Sequence, residues 1–152
     1  MTAVCVYCAS ADGIAERHLS LAAEVGRRVA ARGWTLVSGG GSKSMMGAVA
    51  AAARADAFLA LPGGLGTCEE LFEIWTSGYL RLHAKPVVLL DPDGHWAGLL
   101  AWVRDLAGQG FVDPAALRRL VVTADVDAAL DACAAPVLGD GSRWSLRSRR
   151  GG

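Results

Sequence analysis

Apolar residues in this chain follow two alternating rhythms. Short unbroken runs, Val4 to Tyr7, Trp34-Thr35-Leu36-Val37, Ala57-Phe58-Leu59-Ala60-Leu61, Pro86-Val87-Val88-Leu89-Leu90 and Leu120 to Thr123, predict buried strands. Between them the apolar positions recur at helical spacing. Ala15 to Ala31 predicts an amphipathic helix whose apolar face holds Leu19, Ala22, Ala23, Val25, Val29 and Ala30, closed by Gly33. Further helices are predicted over an alanine-rich Met46–Arg54, from near Thr67 with Leu71, Phe72, Ile74 and Trp75 facing the core, from about His95 to Leu106, and over Val126–Cys133. Strands alternating with helices predict an α/β fold, a doubly wound parallel sheet with helices on both faces in a single domain. Ligands of such sheets lie beyond the carboxyl ends of the strands, where strand order reverses.

Two glycine loops fall on that edge. Ser38-Gly39-Gly40-Gly41-Ser42 follows the second strand, and Leu61-Pro62-Gly63-Gly64-Leu65-Gly66-Thr67-Cys68-Glu69-Glu70 joins the third strand to its helix. Glycines let backbone N–H groups approach a ligand closely, and a helix start adds partial positive charge, so the second loop reads as a phosphate cradle. Glu69 and Glu70 stand where a carboxylate faces the sugar of a ligand held by its phosphate. Thr67-x-x-Glu70 also fits a capping box with Thr67 as N-cap, a structural role compatible with the binding one.

One junction conflicts with turn chemistry. The helix predicted up to Arg54 runs into the strand at Ala57 through Ala55-Asp56, with no Gly, Pro or Asn between them.

Length and a hydrophobic content of 53% over 152 residues suit one domain with a substantial core. Net charge is zero, but Arg143, Arg147, Arg149 and Arg150 fall in the last ten residues. Without them eleven basic residues face fifteen acidic ones, so residues 1–142 carry about −4, which argues against nucleic-acid binding. Residues 139–152 read as a mobile basic tail on a domain spanning 1–138. Cys5 and Cys8 match C-x-x-C within a strand, where residues three apart face opposite ways, and Cys68 and Cys133 complete no zinc set, so no metal is expected. Without a leader pattern or a run of ~20 apolar residues, the chain reads as soluble and cytoplasmic, with no membrane contact.

Taken together these motifs resemble the LOG family, cytokinin riboside 5′-monophosphate phosphoribohydrolases, which also carry a "lysine decarboxylase-like" label. The resemblance spans most of residues 3–133. Pro62 to Glu70 fits the family's P-G-G-x-G-T-x-x-E, and Ser38 to Gly47 resembles its G-G-G-x-x-x-x-M-G loop. Cys8-Ala9-Ser10 stands for C-G-S, with further agreement at Lys85-Pro86 and at Asp91-Pro92-Asp93-Gly94-His95-Trp96. The resemblance implies hydrolysis of the N-glycosidic bond of cytokinin riboside 5′-monophosphates or AMP, releasing an adenine-type base and ribose 5-phosphate. It places phosphate and ribose on Gly63, Gly64, Leu65, Gly66 and Thr67 with Glu69 nearby, makes Glu70 the catalytic carboxylate, and lines the other side with Ser10, Gly40, Gly41 and Met46. Thr76 would also touch the ligand. The chemistry is consistent, because ribosyl cleavage builds positive charge at C1′ that a fixed carboxylate stabilises. No cofactor is implied, and the two lysines, Lys43 and Lys85, stand in no pyridoxal-phosphate context. A homodimer is implied.

One departure stands out. Family members carry a further strand and helix before the P-G-G strand, with an M-x-x-R-K sequence whose arginine is a second catalytic residue; that segment is absent here, at Arg54-Ala55. Either the sequence as read omits a stretch that the protein has, or the protein lacks it. Omission is expected, because losing a strand and helix from inside a parallel sheet exposes apolar surface. The alternative function is a nucleotide-binding or carrier module without turnover.

Other residues invite roles. His18, His83 and His95 are possible acids for the leaving base, but surface or capping roles are expected, since sequence identifies no partner for any of them. Met46 is the better candidate for gripping the base, Met45 for packing. Trp75, Trp96 and Trp102 read as core or interface residues, and Glu73 as a solvated neighbour on the face of Glu70.

Overall fold

The computed structural model describes residues 1–38 and 54–137. Among these, five strands, β1 (Ala3–Tyr7), β2 (Thr35–Ser38), β3 (Ala57–Ala60), β4 (Val87–Leu90) and β5 (Leu120–Thr123), form one parallel sheet in the order β2-β1-β3-β4-β5. The helices are α1 (Glu16–Ala31), α2 (Leu65–Tyr79), α3 (Ala97–Gly108), α4 (Pro114–Arg118) and α5 (Val126–Ala134). The expected doubly wound α/β fold is therefore present. The helix expected over Met46–Arg54 and the tail over 139–152 lie outside the described residues, apart from Arg54, which is helical. No described helix is long and apolar enough to cross a membrane.

Strand alternation divides the core into two layers. Val4, Val6, Leu59, Val88 and Leu90 pack against Val25 and Val29 of α1 and Ala129, Leu130 and Cys133 of α5. The intervening Cys5, Tyr7, Phe58, Val87 and Leu89 face Leu71 and Ile74 of α2 and Leu100 of α3. β3 and β4 are buried throughout, which is why they read as unbroken apolar runs rather than alternating ones. Cys5 is buried in the second layer, while Cys8 lies beyond the end of β1 and is exposed.

Several expectations need correction. The core face of α1 is narrower than its pattern, with only Val25 and Val29 buried and Leu19 51% exposed. Among the described elements this helix packs chiefly on β2 and α5. Its polar side is tied to α5 instead, through Arg28–Asp127 at 2.7 Å and Arg32–Asp131 at 2.8 Å. Gly33, at φ +67°, closes it with N–H donation to Ala30 at 2.9 Å, followed by Trp34 N–H to Val29 at 3.2 Å. The short helix α4 was not expected, being too brief to show a period. It begins at Pro114 under an Asp113 cap that accepts Ala115 N–H at 2.7 Å. Trp75 and Trp96 are core residues, whereas Trp102 is 54% exposed.

The junction at Ala55-Asp56 also resolves. Asp56 donates its N–H to Ala3 O at 2.6 Å, and its carboxylate accepts Ala3 N–H at 2.8 Å, so the chain docks on β1 as it enters the sheet. Two residues suffice because the sheet itself arrests the turn. Nor would loss of a strand here open a gap inside the sheet. In the common doubly wound order a strand between β2 and β3 in sequence adds beyond β2, at the edge. β2 is that edge, with Thr35, Leu36 and Ser38 exposed.

Strand position should be visible in stability. Leu59→Ala in β3 is expected to cost about 2–5 kcal/mol, and Leu36→Ala in β2, where the side chain is 46% exposed, no more than about 1 kcal/mol. Urea denaturation of both variants checks this; equal losses would contradict the strand order.

Candidate active site

The sheet reverses direction between β1 and β3, since β2 lies on one side of β1 and β3 on the other. Leu61 N–H donates to Tyr7 O at 2.9 Å, so the two chains leave this seam side by side. One carries Cys8, Ala9 and exposed Ser10; the other carries Pro62, Gly63 and Gly64.

Helix α2 starts at this point, earlier than its sequence suggests. Gly64 in extended conformation is the N-cap, Leu65 is the first helical residue, and no side chain caps the helix. The capping box is thereby overturned: Thr67 lies inside the first turn and cannot serve as N-cap. Cys68 N–H is already bonded to Gly64 O at 3.0 Å, while the N–H groups of Leu65, Gly66 and Thr67 precede the intrahelical ladder and point out of the helix end. The first turn also lacks an acidic residue. By contrast α4 and α5 are capped by Asp113 and Asp125. The start of α2 thus keeps its partial positive charge and its donors available to an anion.

Gly63 is required by packing. Thr67, only 5% exposed, tucks beneath the loop, and a Cβ on Gly63 would lie 2.1 Å from Thr67 Oγ1. Pro62 is buried, and Gly64, Leu65 and Gly66 are exposed around the opening, Leu65 at 91%.

Glu70 follows Thr67 by three residues and shares its face. Partial burial pushes its carboxyl pKa above the usual value, and the negative charges of Glu73 and then Glu69 push it further. The Glu70 charge in turn reaches β1: it helps raise the Tyr7 hydroxyl and the Cys5 thiol, both shifted chiefly by burial. A carboxylate is therefore held at the seam in a setting that favours its neutral form.

The residue whose partner sequence reasoning did not identify is His95. It sits in the turn after β4, and its Nε2 lies 2.8 Å from Gly63 O and 3.2 Å from Gly63 N. A surface role had been its expectation. It is exposed, yet it holds the glycine loop. The available signal was topological, because β3 and β4 are neighbours and their following loops must meet. His83 is placed elsewhere. Its Nδ1 accepts Lys85 N–H at 3.1 Å, which leaves Nε2 to donate to Ile74 O at 2.8 Å; burial lowers its pKa, aided by Arg119 and Lys85. His18 meets the His95 ring edge-on at 6.1 Å.

Of the remaining expected site residues, Gly40, Gly41 and Met46 lie outside the described residues. Thr76 is on α2, roughly 14 Å along the axis from Thr67 at ~1.5 Å per residue. It lines a groove of about 230 Å³ with Phe72, Trp75, Tyr79, Val103 and Phe111. The Lys85 ammonium stands 5.7 Å from the centre of the Phe58 ring. Among the described residues no group of three or more His, Cys, Asp or Glu is placed to hold a metal.

Comparison with known proteins gives these features a family. A family model described as "possible lysine decarboxylase" matches residues 44–133. A cytokinin riboside 5′-monophosphate phosphoribohydrolase of Mycobacterium tuberculosis is 45% identical over 174 residues, covering 86% of this chain and 92% of that protein. Its counterpart in Mycobacterium marinum is 42% identical with the same coverage, and one from Arabidopsis thaliana is 32% identical over 164 residues, covering 80% of this chain and 75% of that protein. Since 86% of 152 residues is about 131, about 43 of the 174 aligned positions have no residue in this chain. With the glycine turn, the uncapped helix and Glu70 in place, and with matches that cover 92% of each mycobacterial relative, the chain belongs to the LOG family of cytokinin riboside 5′-monophosphate phosphoribohydrolases.

Proposed function

We propose that this protein hydrolyses the N-glycosidic bond of a cytokinin riboside 5′-monophosphate or AMP, releasing the adenine-type base and ribose 5-phosphate. The observation that carries the reading is the start of α2: an uncapped, acid-free first turn after a glycine loop, with the Glu70 carboxyl one turn further along the same helix. Phosphate on the N–H groups from Gly64 to Thr67 would bring the ribose toward Glu69 and Glu70, with Ser10 across the seam. As the C1′–N9 bond breaks, its electron pair leaves with the base, and C1′ gains positive charge that ionised Glu70 stabilises. A water oxygen then bonds to C1′, its proton passes to Glu70, and the base takes a proton from solvent. The names of the curated relatives support this activity.

A specific observation favours a second reading. About 43 aligned positions have no residue here, enough for a strand and a helix, and the resemblance puts a catalytic arginine in such a segment. A chain without it would bind the nucleotide and not turn it over. The reading also includes a homodimer, supported by exposed apolar side chains around the α2 groove, Phe111 at 77% and Leu80 at 59%. Trp75, buried at 4%, does not belong to that surface.

Incubation with isopentenyladenosine monophosphate or AMP is expected to release free base. Glu70→Ala is expected to lower kcat by about 10²–10³-fold with an unchanged melting temperature; wild-type turnover in this variant would remove Glu70 from the chemistry. The acid limb of kcat against pH is expected at higher pH than an ordinary glutamate gives, because burial and two like charges disfavour ionised Glu70. Glu73→Gln removes one of those charges, so the limb should move to lower pH; no movement, or a move upward, would contradict the electrostatic assignment. Native and denaturing mass spectrometry together read subunit mass and assembly. A subunit heavier than 15.8 kDa in a dimer fits the complete enzyme, and a 15.8 kDa subunit that binds AMP without hydrolysis fits the binding module.

A further inference from the structure

We infer that His95 is a positioning residue for the phosphate cradle, acting through the Gly63-Gly64 peptide. The inference rests on the reading of the site given above. His95 Nε2 is 2.8 Å from Gly63 O, to which it donates when it carries the proton, and 3.2 Å from Gly63 N, which donates to it in the other tautomer; the shorter contact selects the first. A trans peptide points its carbonyl and the following N–H in opposite directions. Holding the Gly63 carbonyl on His95 therefore turns the Gly64 N–H away from His95, at the residue where α2 begins. There it can join the N–H groups of Leu65, Gly66 and Thr67. Without a partner the same peptide, flanked by two glycines and unconstrained by side chains of its own, is free to rotate and withdraw that donor.

The imidazole is itself held from several sides. Its turn is set by Gly94 at φ +73°, and by Asp91, whose carboxylate accepts Trp96 N–H at 3.3 Å. Arg17, at the start of α1, pairs with Asp93 at 3.4 Å. The next residue, Trp96, is buried and meets the His95 ring edge-on at 4.8 Å. An exposed histidine with only a surface role has no use for such a mounting. This one spans from the β4 loop to the β3 loop and contacts the backbone of one glycine.

The test compares His95→Ala and His95→Gln with the wild type by calorimetric titration of AMP, ribose 5-phosphate and adenine. Glutamine can present an amide N–H near the position of Nε2; alanine cannot. His95→Ala is expected to weaken AMP and ribose 5-phosphate about tenfold, as loss of one donor to a charged group does, while adenine is unaffected. His95→Gln should restore most of the loss. In turnover the penalty should fall on KM and not on kcat, because phosphate is held alike in ground and transition states. Unchanged binding of ribose 5-phosphate by His95→Ala, equal weakening of adenine, or failure of glutamine to rescue would each overturn the inference while leaving the function standing. A wild-type protein that binds neither AMP nor ribose 5-phosphate would overturn the reading of the site itself.

Discussion

The parallel pairing of β1 with β3 is the constraint on which the rest of this structure depends. Val4, Cys5, Val6 and Tyr7 stand opposite Ala57, Phe58, Leu59 and Ala60, and all eight are buried. Their side chains supply both core layers, so α1 and α5 on one face and α2 and α3 on the other are positioned by the same two strands. Because the chain goes from β1 outward to β2 and returns past it to β3, this pairing also creates the reversal at which two loops diverge. A seam buried from end to end therefore opens onto the glycine loop, and the site stands directly on the core beneath.

At that opening stability and binding pull in opposite directions. A side-chain cap at the start of α2 would be worth about 1 kcal/mol, the contribution that Asp113 and Asp125 make to α4 and α5. Here Gly64 takes the N-cap and the first turn has no carboxylate. Glu70 is likewise held where burial and two like charges oppose its ionisation. Local rules that hold elsewhere in the chain are broken within one short stretch, and such departures concentrate where a ligand is to supply the missing partner. Gly63 fits the same account, since Thr67 occupies the space that any larger residue would need.

Much of this was legible in the sequence, because the two rhythms of apolar positions are imposed by strands buried on both faces and helices buried on one. β5 was readable from its run of Leu120 to Thr123, and the fold class from the alternation itself. The glycine loop announced its place because Leu61 ends a buried strand and Leu71 begins a helical stripe. What escaped was whatever depends on a neighbour distant in sequence. Thr67 and Glu70 are spaced as a capping box, yet the helix starts three residues earlier because extended Gly64 turns the backbone into it. Leu19 continues the apolar face of α1, but that face extends past the end of the sheet. His95 stood out as a residue but not with its partner, since Gly63 emerges only once β3 and β4 are known to be adjacent.

The same topology explains how a family member can differ by a whole strand and helix and still keep the fold. An interior strand is held by ladders on both sides, so its removal would break two pairings and expose two faces. A unit inserted between β2 and β3 adds at the rim, where only one ladder is lost. β2 bears the mark of that position: Thr35, Leu36 and Ser38 are exposed, whereas its neighbour β1 is sealed from Val4 to Tyr7. The glycine turn, α2 and His95 stand instead on β3 and β4, both enclosed by other strands. Gly40, Gly41 and Met46, proposed for the opposite side of the ligand, follow β2 in sequence. In the proposed site the phosphate end is thus supported by the enclosed strands. A change at the rim therefore leaves β3 and β4, and the glycine turn and His95 that stand on them, in place.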